Sequence, residues 1–360
     1  MRLLPLLIVL LGFGAFAQGA DTPPRSPEIP SGMEPFCCTG QNLFPNQFSG
    51  LPGLPAAPGG EFYWRAALMP GDAGQDKDSE TTLKVDVKLV NLFVTVTDDH
   101  GAPIANLKKE NFQLSEDGRD QKIAVFDRES AVPLSIVLAV DTSLSTRKDL
   151  PLEQASAKRF AHAIVRPVDG LAVYEFSEIV DEIVPFTSDM KRIDRGIDRM
   201  HPGAATALYD AVFLGSRALE SRQGRKVMVV ITDGGDTVSK MDYKEALRGA
   251  EEAEAIVYSI IIVPIEASAG RDTGGEHALI QMSMDTGGKY FYASSLPQLD
   301  NAFRQISDEL RTQYLLAYYP SQRYSESDFR KVQVTVNGMS ASTPFRVRHR
   351  AGYYTSKSPW

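Results

Sequence analysis

Oxygen-bearing side chains cluster in three short stretches of the sequence, each placed where a strand-like run ends or a helix-like run begins. Asp141, Ser143 and Ser145 directly follow an apolar run at residues 134–140. Thr206 lies just before a helix-like stretch, and Asp233 comes soon after an apolar run at 226–231. Carboxylate and hydroxyl oxygens are the ligands that Mg²⁺ accepts in near-octahedral sites. These residue types therefore indicate a site for a hard divalent cation.

The order of apolar runs predicts how these stretches could meet. The predicted strands are 134–140, 171–176, 182–185, 226–231, 256–263 and 289–292, and the predicted helices are 150–165, 190–200, 207–220, 243–253, 276–286 and 299–312. Strands that alternate with helices form a doubly wound, mostly parallel sheet, and ligands bind at the carboxyl ends of its strands. We therefore expect one sheet edge to carry the oxygen ligands. The short strand at 182–185 is expected to be an antiparallel edge.

The pattern resembles the von Willebrand factor type A (VWFA) domain over residues 133–312. That family has a Rossmann-like fold and a metal-ion-dependent adhesion site made of a D-x-S-x-S motif, a Thr and an Asp. The matching residues here are Asp141, Ser143, Ser145, Thr206 and Asp233. The resemblance implies that the hydroxyls bind the cation directly and that one or both aspartates act through water. It also implies Mg²⁺, or else Mn²⁺ or Ca²⁺, and an Asp or Glu from a protein partner that completes the coordination shell, in adhesion or complex assembly.

Alternating strands are predicted on both sides of this region. They are 83–97, 112–114, 123–126, 314–319, 332–336 and 345–347. The apolar parity changes within 83–97, which indicates a bulge or a crossing between sheets. Residues 112–126 are expected to form a hairpin at the turn Asp117-Gly118. We predict a β-sandwich built from residues 82–130 and 313–354, into which the α/β domain is inserted, and a tail at 355–360.

The wider arrangement resembles the acidobacterial VWFA-related family of exported proteins. In that family a β-rich segment with an E-D-G turn, here Glu116-Asp117-Gly118, precedes the A domain, and a short strand like residues 314–318 follows it. Because the helix at 299–312 runs directly into that strand, a helix shift could carry site occupancy to the sandwich. This coupling is an analogy with integrin-type A domains.

The N-terminal residues are predicted to direct export. Arg2, an apolar run at 3–13 and Ala15-Phe16-Ala17 have the order of a signal peptide at 1–17, with cleavage before Gln18. Residues 18–81 are rich in Pro and Gly and are predicted to be a disordered linker. The adjacent Cys37 and Cys38 have no assigned role. We expect a bacterial protein that is periplasmic, cell-surface or secreted, with no transmembrane segment after cleavage.

Other classes of function have weaker support. A net charge of −8 without a basic run argues against nucleic-acid binding, and no glycine-rich phosphate loop follows the first α/β strand, which argues against nucleotide binding. The five histidines lack a zinc spacing. We expect a protein that is not an enzyme, and the alternatives are a metal-dependent hydrolase or an assembly module with a vestigial metal site. Asp210 is expected to support the Thr206 loop by hydrogen bonding, and Asp236 to be a surface or capping residue.

Overall fold

The computed structural model describes residues 89–128, 132–144, 150–263, 273–322, 329–338 and 344–355. The predicted signal peptide, the linker, both cysteines, Ser145, the first part of the strand at 83–97 and residues 356–360 lie outside this range. None of the described helices combines the length and apolar composition that crossing a lipid bilayer requires.

Strands and helices alternate through the middle of the chain in the order that the sequence predicts. The strands there are β5 (Leu134–Asp141), β6 (Gly170–Phe176), β7 (Val180–Thr187), β8 (Arg225–Thr232), β9 (Ala255–Ile262) and β10 (Tyr290–Ala293). The helices are α1 (Leu150–Ile164), α2 (Met190–Ile197), α3 (Leu208–Glu220), α4 (Tyr243–Glu252), α5 (Thr273–Asp285) and α6 (Leu296–Thr312). Each bound differs from its predicted position by at most three residues.

These six strands form one sheet in the order β10-β9-β8-β5-β6-β7. All neighbouring pairs are parallel except β6 and β7, so the antiparallel edge strand is as predicted. Helices α1, α2 and α6 cover one face, and α3, α4 and α5 cover the other. Every residue of β5 is buried, because it lies in the middle of a sheet with both faces covered. The doubly wound fold is therefore confirmed.

Strands from the two ends of the chain form two further sheets. The N-terminal strands are β1 (Val90–Asp98), β2 (Phe112–Glu116), β3 (Arg119–Gln121) and β4 (Ile123–Arg128), and the C-terminal strands are β11 (Tyr314–Tyr318), β12 (Phe329–Val336), β13 (Phe345–Arg348) and β14 (Gly352–Tyr354). The sheet orders are β13-β1-β11-β4 and β14-β12-β2-β3. Strands from the two ends alternate in the first sheet and meet at the β12–β2 pair in the second, and the two ends share one hydrophobic core. A short 3₁₀-helix, Lys109–Asn111, precedes β2.

The predicted hairpin between residues 112–114 and 123–126 is wrong. Strand β2 pairs instead with β3, because Asp117 (φ 47°) and Gly118 (φ 77°) form a tight turn with two positive φ angles, as two-residue hairpin loops require. A single residue, Lys122, separates β3 from β4, and β4 pairs with β11 in the other sheet. The apolar alternation predicts strands, but it does not state which sheet each strand joins.

A chain of buried polar contacts joins the α/β domain to these strands. Arg225, at the start of β8, donates from its guanidinium to the carbonyl of Leu310 and to Oε1 of Gln313, the latter at 3.1 Å. The Gln313 amide donates to Thr95 Oγ1 in β1, also at 3.1 Å. On the same side, the guanidinium of Arg348 in β13 lies 2.7 Å from the carboxylate of Glu309 in α6. The end of α6 is therefore held by both parts of the chain.

His349 is the basis of a pH-dependent prediction for the strands β12–β14. Its Nε2 accepts the N–H of Val334 at 3.1 Å, and its Nδ1 lies 2.7 Å from the Arg350 carbonyl. Burial lowers the pKa of His349 below its ordinary value of about 6.5; the contact with the Arg350 carbonyl raises the pKa and the charge of Arg350 lowers it, and the net shift is downward. Because the unfolded chain binds this proton more readily, His349 should reduce the free energy of unfolding as the pH falls below about 6.5.

Replacing His349 should remove this loss of stability. Between its two pKa values the slope from one group is at most about 1.4 kcal/mol per pH unit. In urea unfolding between pH 8 and pH 5, His349→Gln should give a smaller fall in stability than the parent protein. His100→Gln, at an exposed turn, is the matched control and should leave the slope unchanged. Parallel curves for His349→Gln and the parent would contradict the prediction.

Candidate metal centre

Asp141 is the last residue of β5, and its side chain is completely buried at the carboxyl edge of the sheet. Its Oδ2 accepts a hydrogen bond from the Thr232 hydroxyl at 2.6 Å, and its Oδ1 accepts the Ser143 N–H at 2.8 Å. Thr232 ends β8, the strand that pairs with β5 in register. The ends of two parallel strands therefore fix the orientation of this carboxylate.

Burial is the main influence on the pKa of the Asp141 carboxyl group. Burial raises the pKa of Asp141 to about 6, although hydrogen bonds from Thr232 and Ser143 lower it, and the charge of Asp233 raises it further. Asp141 and Asp233 oppose each other's ionisation, and a cation bound between them would offset their repulsion. The side chain of Ser143 also hydrogen-bonds Asp141, so this hydroxyl lies beside the carboxylate.

The loop that carries Thr206 is attached to the ends of β5 and β6. The Gly203 N–H donates to the Thr142 carbonyl at 2.7 Å, and the Ala207 N–H donates to the Ser177 carbonyl at 2.7 Å. Thr206 is buried between these two attachments. The backbone therefore places Thr206 against the loop that follows β5.

The loop that follows β8 closes onto Thr206 from the other side. The Thr237 N–H donates to the Thr206 carbonyl at 2.8 Å, and the Thr206 N–H donates to Thr237 Oγ1 at 2.9 Å. Asp233 lies between Thr232 and this contact, on the same loop. The structure thus joins the loops of Asp141, Ser143, Thr206 and Asp233 at one sheet edge, whereas Ser145 lies outside the described residues and its position stays a prediction.

Glu178 is a supporting residue that the sequence reasoning missed. It follows the end of β6, and its Oε2 accepts the N–H groups of Ala204 at 2.6 Å and Ala205 at 3.4 Å. These hydrogen bonds, chiefly the one from Ala204, lower the pKa of Glu178 to about 2. A Cβ at Gly203 would lie 2.1 Å from Ser177 Oγ, so only glycine allows this close approach. No spacing in the sequence connects position 178 to position 204.

His201, which the sequence placed just before the Thr206 loop, is held by a second carboxylate of β6. Glu175 is buried, and its Oε2 accepts the His201 N–H at 3.1 Å. Its Oε1 lies 3.1 Å from Nδ1 of the exposed His201 ring. Burial raises the pKa of Glu175, and the contacts with His201 lower it. This pair fixes the start of the loop.

Asp236 caps α3 as expected, whereas Asp210 supports the loop that follows β8 and not the Thr206 loop itself. Asp210 accepts the N–H groups of Lys240 at 3.0 Å and of Met241 at 2.8 Å, so it binds the loop that follows β8. Asp236 accepts the Tyr209 N–H at 3.3 Å, within the first turn of α3. Because Ala207 at the N-cap of α3 offers no capping side chain, the neighbouring loop supplies the cap.

The donor set fits a divalent cation of the Mg²⁺ type. Two carboxylates offset its charge, and hydroxyl oxygens add ligands without further charge. Within the described ranges, no three His, Cys, Asp or Glu side chains form a metal-binding group. The candidate centre therefore depends on hydroxyls as well as on Asp141 and Asp233, and its ligands are too hard and too poor in nitrogen and sulfur for a typical zinc site.

Asp210 allows a test of the support for the loop that follows β8, which in turn contacts Thr206. Asp210→Ala leaves two backbone N–H groups without their acceptor, so the free energy of unfolding should fall by about 1–3 kcal/mol. The same change should weaken Mg²⁺ binding less than removal of Asp141. Guanidinium unfolding and calorimetric titration measure the two effects, with Asp127→Ala on the exposed edge of β4 as the control. Equal stability of the Asp210 and Asp127 variants would argue against this role.

Comparisons with known proteins agree with this arrangement. The von Willebrand factor type A domain family model matches residues 136–235, a range that includes all five predicted ligands. No curated protein matches the chain.

Solved structures with a similar fold include three bacterial proteins. The PilB minor pilin of Streptococcus sanguinis is 14% identical with a TM-score of 0.41, and the match covers 51% of this chain and 62% of the pilin, less than two thirds of its length. A von Willebrand factor type A protein of Catenulispora acidiphila is 10% identical with a TM-score of 0.45, and 74% of each chain is covered. The vWF domain of the type V pili tip protein Mfa5 of Porphyromonas gingivalis is 13% identical with a TM-score of 0.39, covering 49% of this chain and 95% of that one. The resemblance to the acidobacterial VWFA-related family stays a prediction, whereas residues 136–235 of this chain match the von Willebrand factor type A domain family.

Proposed function

We propose that this protein binds a protein partner through a divalent cation held at the carboxyl edge of its parallel sheet. The cation is Mg²⁺, or Mn²⁺ or Ca²⁺ in its place, and Asp141, Ser143, Ser145, Thr206 and Asp233 supply the protein ligands. The observation that carries the proposal is the pair of hydrogen bonds that holds the buried Asp141 carboxylate between Thr232 and Ser143, beside the charge of Asp233.

A carboxylate from the partner completes the coordination shell in this proposal. The protein contributes two negative charges and several neutral hydroxyls, so a third carboxylate is not excluded by charge. An Asp or Glu side chain on an exposed loop of a partner provides such a ligand. This proposal assigns the protein a role in adhesion or complex assembly, which is the kind of interaction that the VWFA family supports.

We also propose that the protein works outside the cytoplasm and that it is not an enzyme. The order of charged, apolar and small residues at positions 1–17 supports export. For water activation a general base must lie beside the metal. His201 is the histidine nearest in sequence to a described ligand, and its Nδ1 is directed to Glu175. A carboxylate at Nδ1 leaves Nε2 able to act as a base, so the proposal of a binding role rests on the donor set and not on His201.

Asp141→Asn tests the cation site with little change of shape. Loss of supporting contacts around a metal costs about 10–100-fold in affinity, so loss of a ligand charge should weaken Mg²⁺ binding by about 100-fold or more. Calorimetric titration measures the affinity, and Asp127→Asn is the control. Without metal, the circular dichroism spectrum of Asp141→Asn should match that of the parent. Unchanged Mg²⁺ affinity in a folded Asp141→Asn protein would refute the site.

Partner capture separates adhesion from the two alternatives. Immobilised protein should retain partners from extracts in Mg²⁺ and release them in EDTA, and Asp141→Asn should retain none of these. Partners that stay bound in EDTA would instead support an assembly module with a vestigial metal. Metal-dependent turnover in a hydrolase screen, lost in Asp141→Asn, would support catalysis.

A further inference from the structure

Helix α2 separates its charges onto two faces. Its acidic residues Asp194 and Asp198 face α1, where Asp194 lies 3.0 Å from Nε2 of His162 and Asp198 contacts Lys158. Arg192 and Arg195 lie one turn apart on the other face, and Arg199 follows just after the helix ends at Ile197. These residues, Arg192, Arg195 and Arg199, are called the arginine row below.

The arginine row lines an open cleft beside β7, the outermost strand of the six-stranded sheet. The opposite wall consists of Ile183, Val184 and Pro185. Helix and strand are in close contact at the cleft floor, since a Cβ at Gly196 would lie 2.0 Å from Val184 Cγ2. The cleft therefore has a cationic wall, an apolar wall and a rigid floor.

The arginine row lacks acidic partners within the part of the chain that the structure describes. The contact recorded there for its guanidinium groups joins Arg195 Nε to the Lys191 carbonyl at 3.0 Å. The row is exposed, and it stands out in a protein with a net charge of −8. Three neighbouring cations repel one another, and an anionic ligand relieves this repulsion.

We propose that this cleft binds an extended acidic segment of a partner polypeptide. Successive same-side residues of an extended chain lie about 6.8 Å apart, so more than one of them can contact the arginines that line one wall of the cleft. In such a chain alternate side chains face opposite ways, so acidic residues meet the arginine row while apolar residues meet Ile183 and Pro185. An isolated phosphate or sulfate ion would use neither the length of the row nor the apolar wall.

The site is separate from the cation site in its chemistry. Its ligand binds arginine rather than a metal, so a chelator should leave binding unchanged. The inference therefore does not depend on the proposed function, and either one can fail alone.

A labelled hexapeptide that alternates Glu and Val is the probe, and fluorescence anisotropy of the full chain in excess EDTA is the measurement. We expect saturable binding that weakens as salt rises from about 0.1 M to 1 M, where the Debye length falls from about 10 to 3 Å. The peptide that alternates Gln and Val should bind about tenfold more weakly or not at all. Equal binding of the two peptides would overturn the proposal.

Substitutions locate the binding. The combined change Arg192→Glu, Arg195→Glu and Arg199→Glu should weaken peptide binding about tenfold or more, and Arg195→Gln alone should weaken it less. Lys122→Glu, an exposed charge reversal between β3 and β4, is the control and should have no effect. Because all the substituted side chains are exposed, the thermal unfolding midpoint of each variant should stay near that of the parent protein. Undiminished binding by both arginine variants, or binding of heparin in the same assay without binding of the peptide, would overturn the proposal.

Discussion

The hydrogen bond from the Thr232 hydroxyl to the Asp141 carboxylate joins the ends of two parallel strands, and the geometry of the candidate centre depends on it. β5 and β8 are neighbours in register, so the loops that follow them start at the same level along the carboxyl edge of the sheet. The Thr206 loop then attaches to β5 through the Gly203 N–H and to the loop after β8 through Thr237. Each loop contains little regular secondary structure, and hydrogen bonds to the neighbouring loops position it. A sheet edge of this kind can hold a ligand set that no single loop could hold.

The pairing of β4 with β11 explains how one domain is inserted into another. The chain enters the α/β domain after β4 and leaves it into β11, and these two strands pair with Tyr314 opposite Arg128. Entry and exit therefore lie side by side, so the insertion need not distort the sandwich. At the same junction Arg225 keeps its charge in a buried position, although burial lowers its pKa to about 10. Contacts with Leu310 and Gln313 offset part of that cost.

Sequence reasoning succeeds here where one physical pattern dominates and fails where several chain segments compete. The buried run of β5 and the motif that follows it could be predicted because a strand covered on both faces tolerates little polarity. The sheets that β3 and β4 join could not be predicted, because the apolar alternation of a strand is the same in either sheet. Glu178 was missed for a related reason, since the groups that donate to it are backbone N–H groups, which no residue type reveals. The arginine row is visible in the sequence, but its lack of acidic partners within the described chain depends on the structure.

The C-terminal end of α6 constrains how occupancy of the cation site could reach the sandwich. A shift of this helix along its axis would have to break the contact of Arg225 with the Leu310 carbonyl and separate Glu309 from Arg348. Glu309 is almost completely buried, and losing Arg348 would leave its carboxylate with the longer ionic contact to Lys289 at 3.5 Å. Because these contacts join the helix to both β8 and β13, the helix and the sandwich strands resist relative motion. A shift of α6 that carried site occupancy to the sandwich would therefore have to rearrange these contacts first.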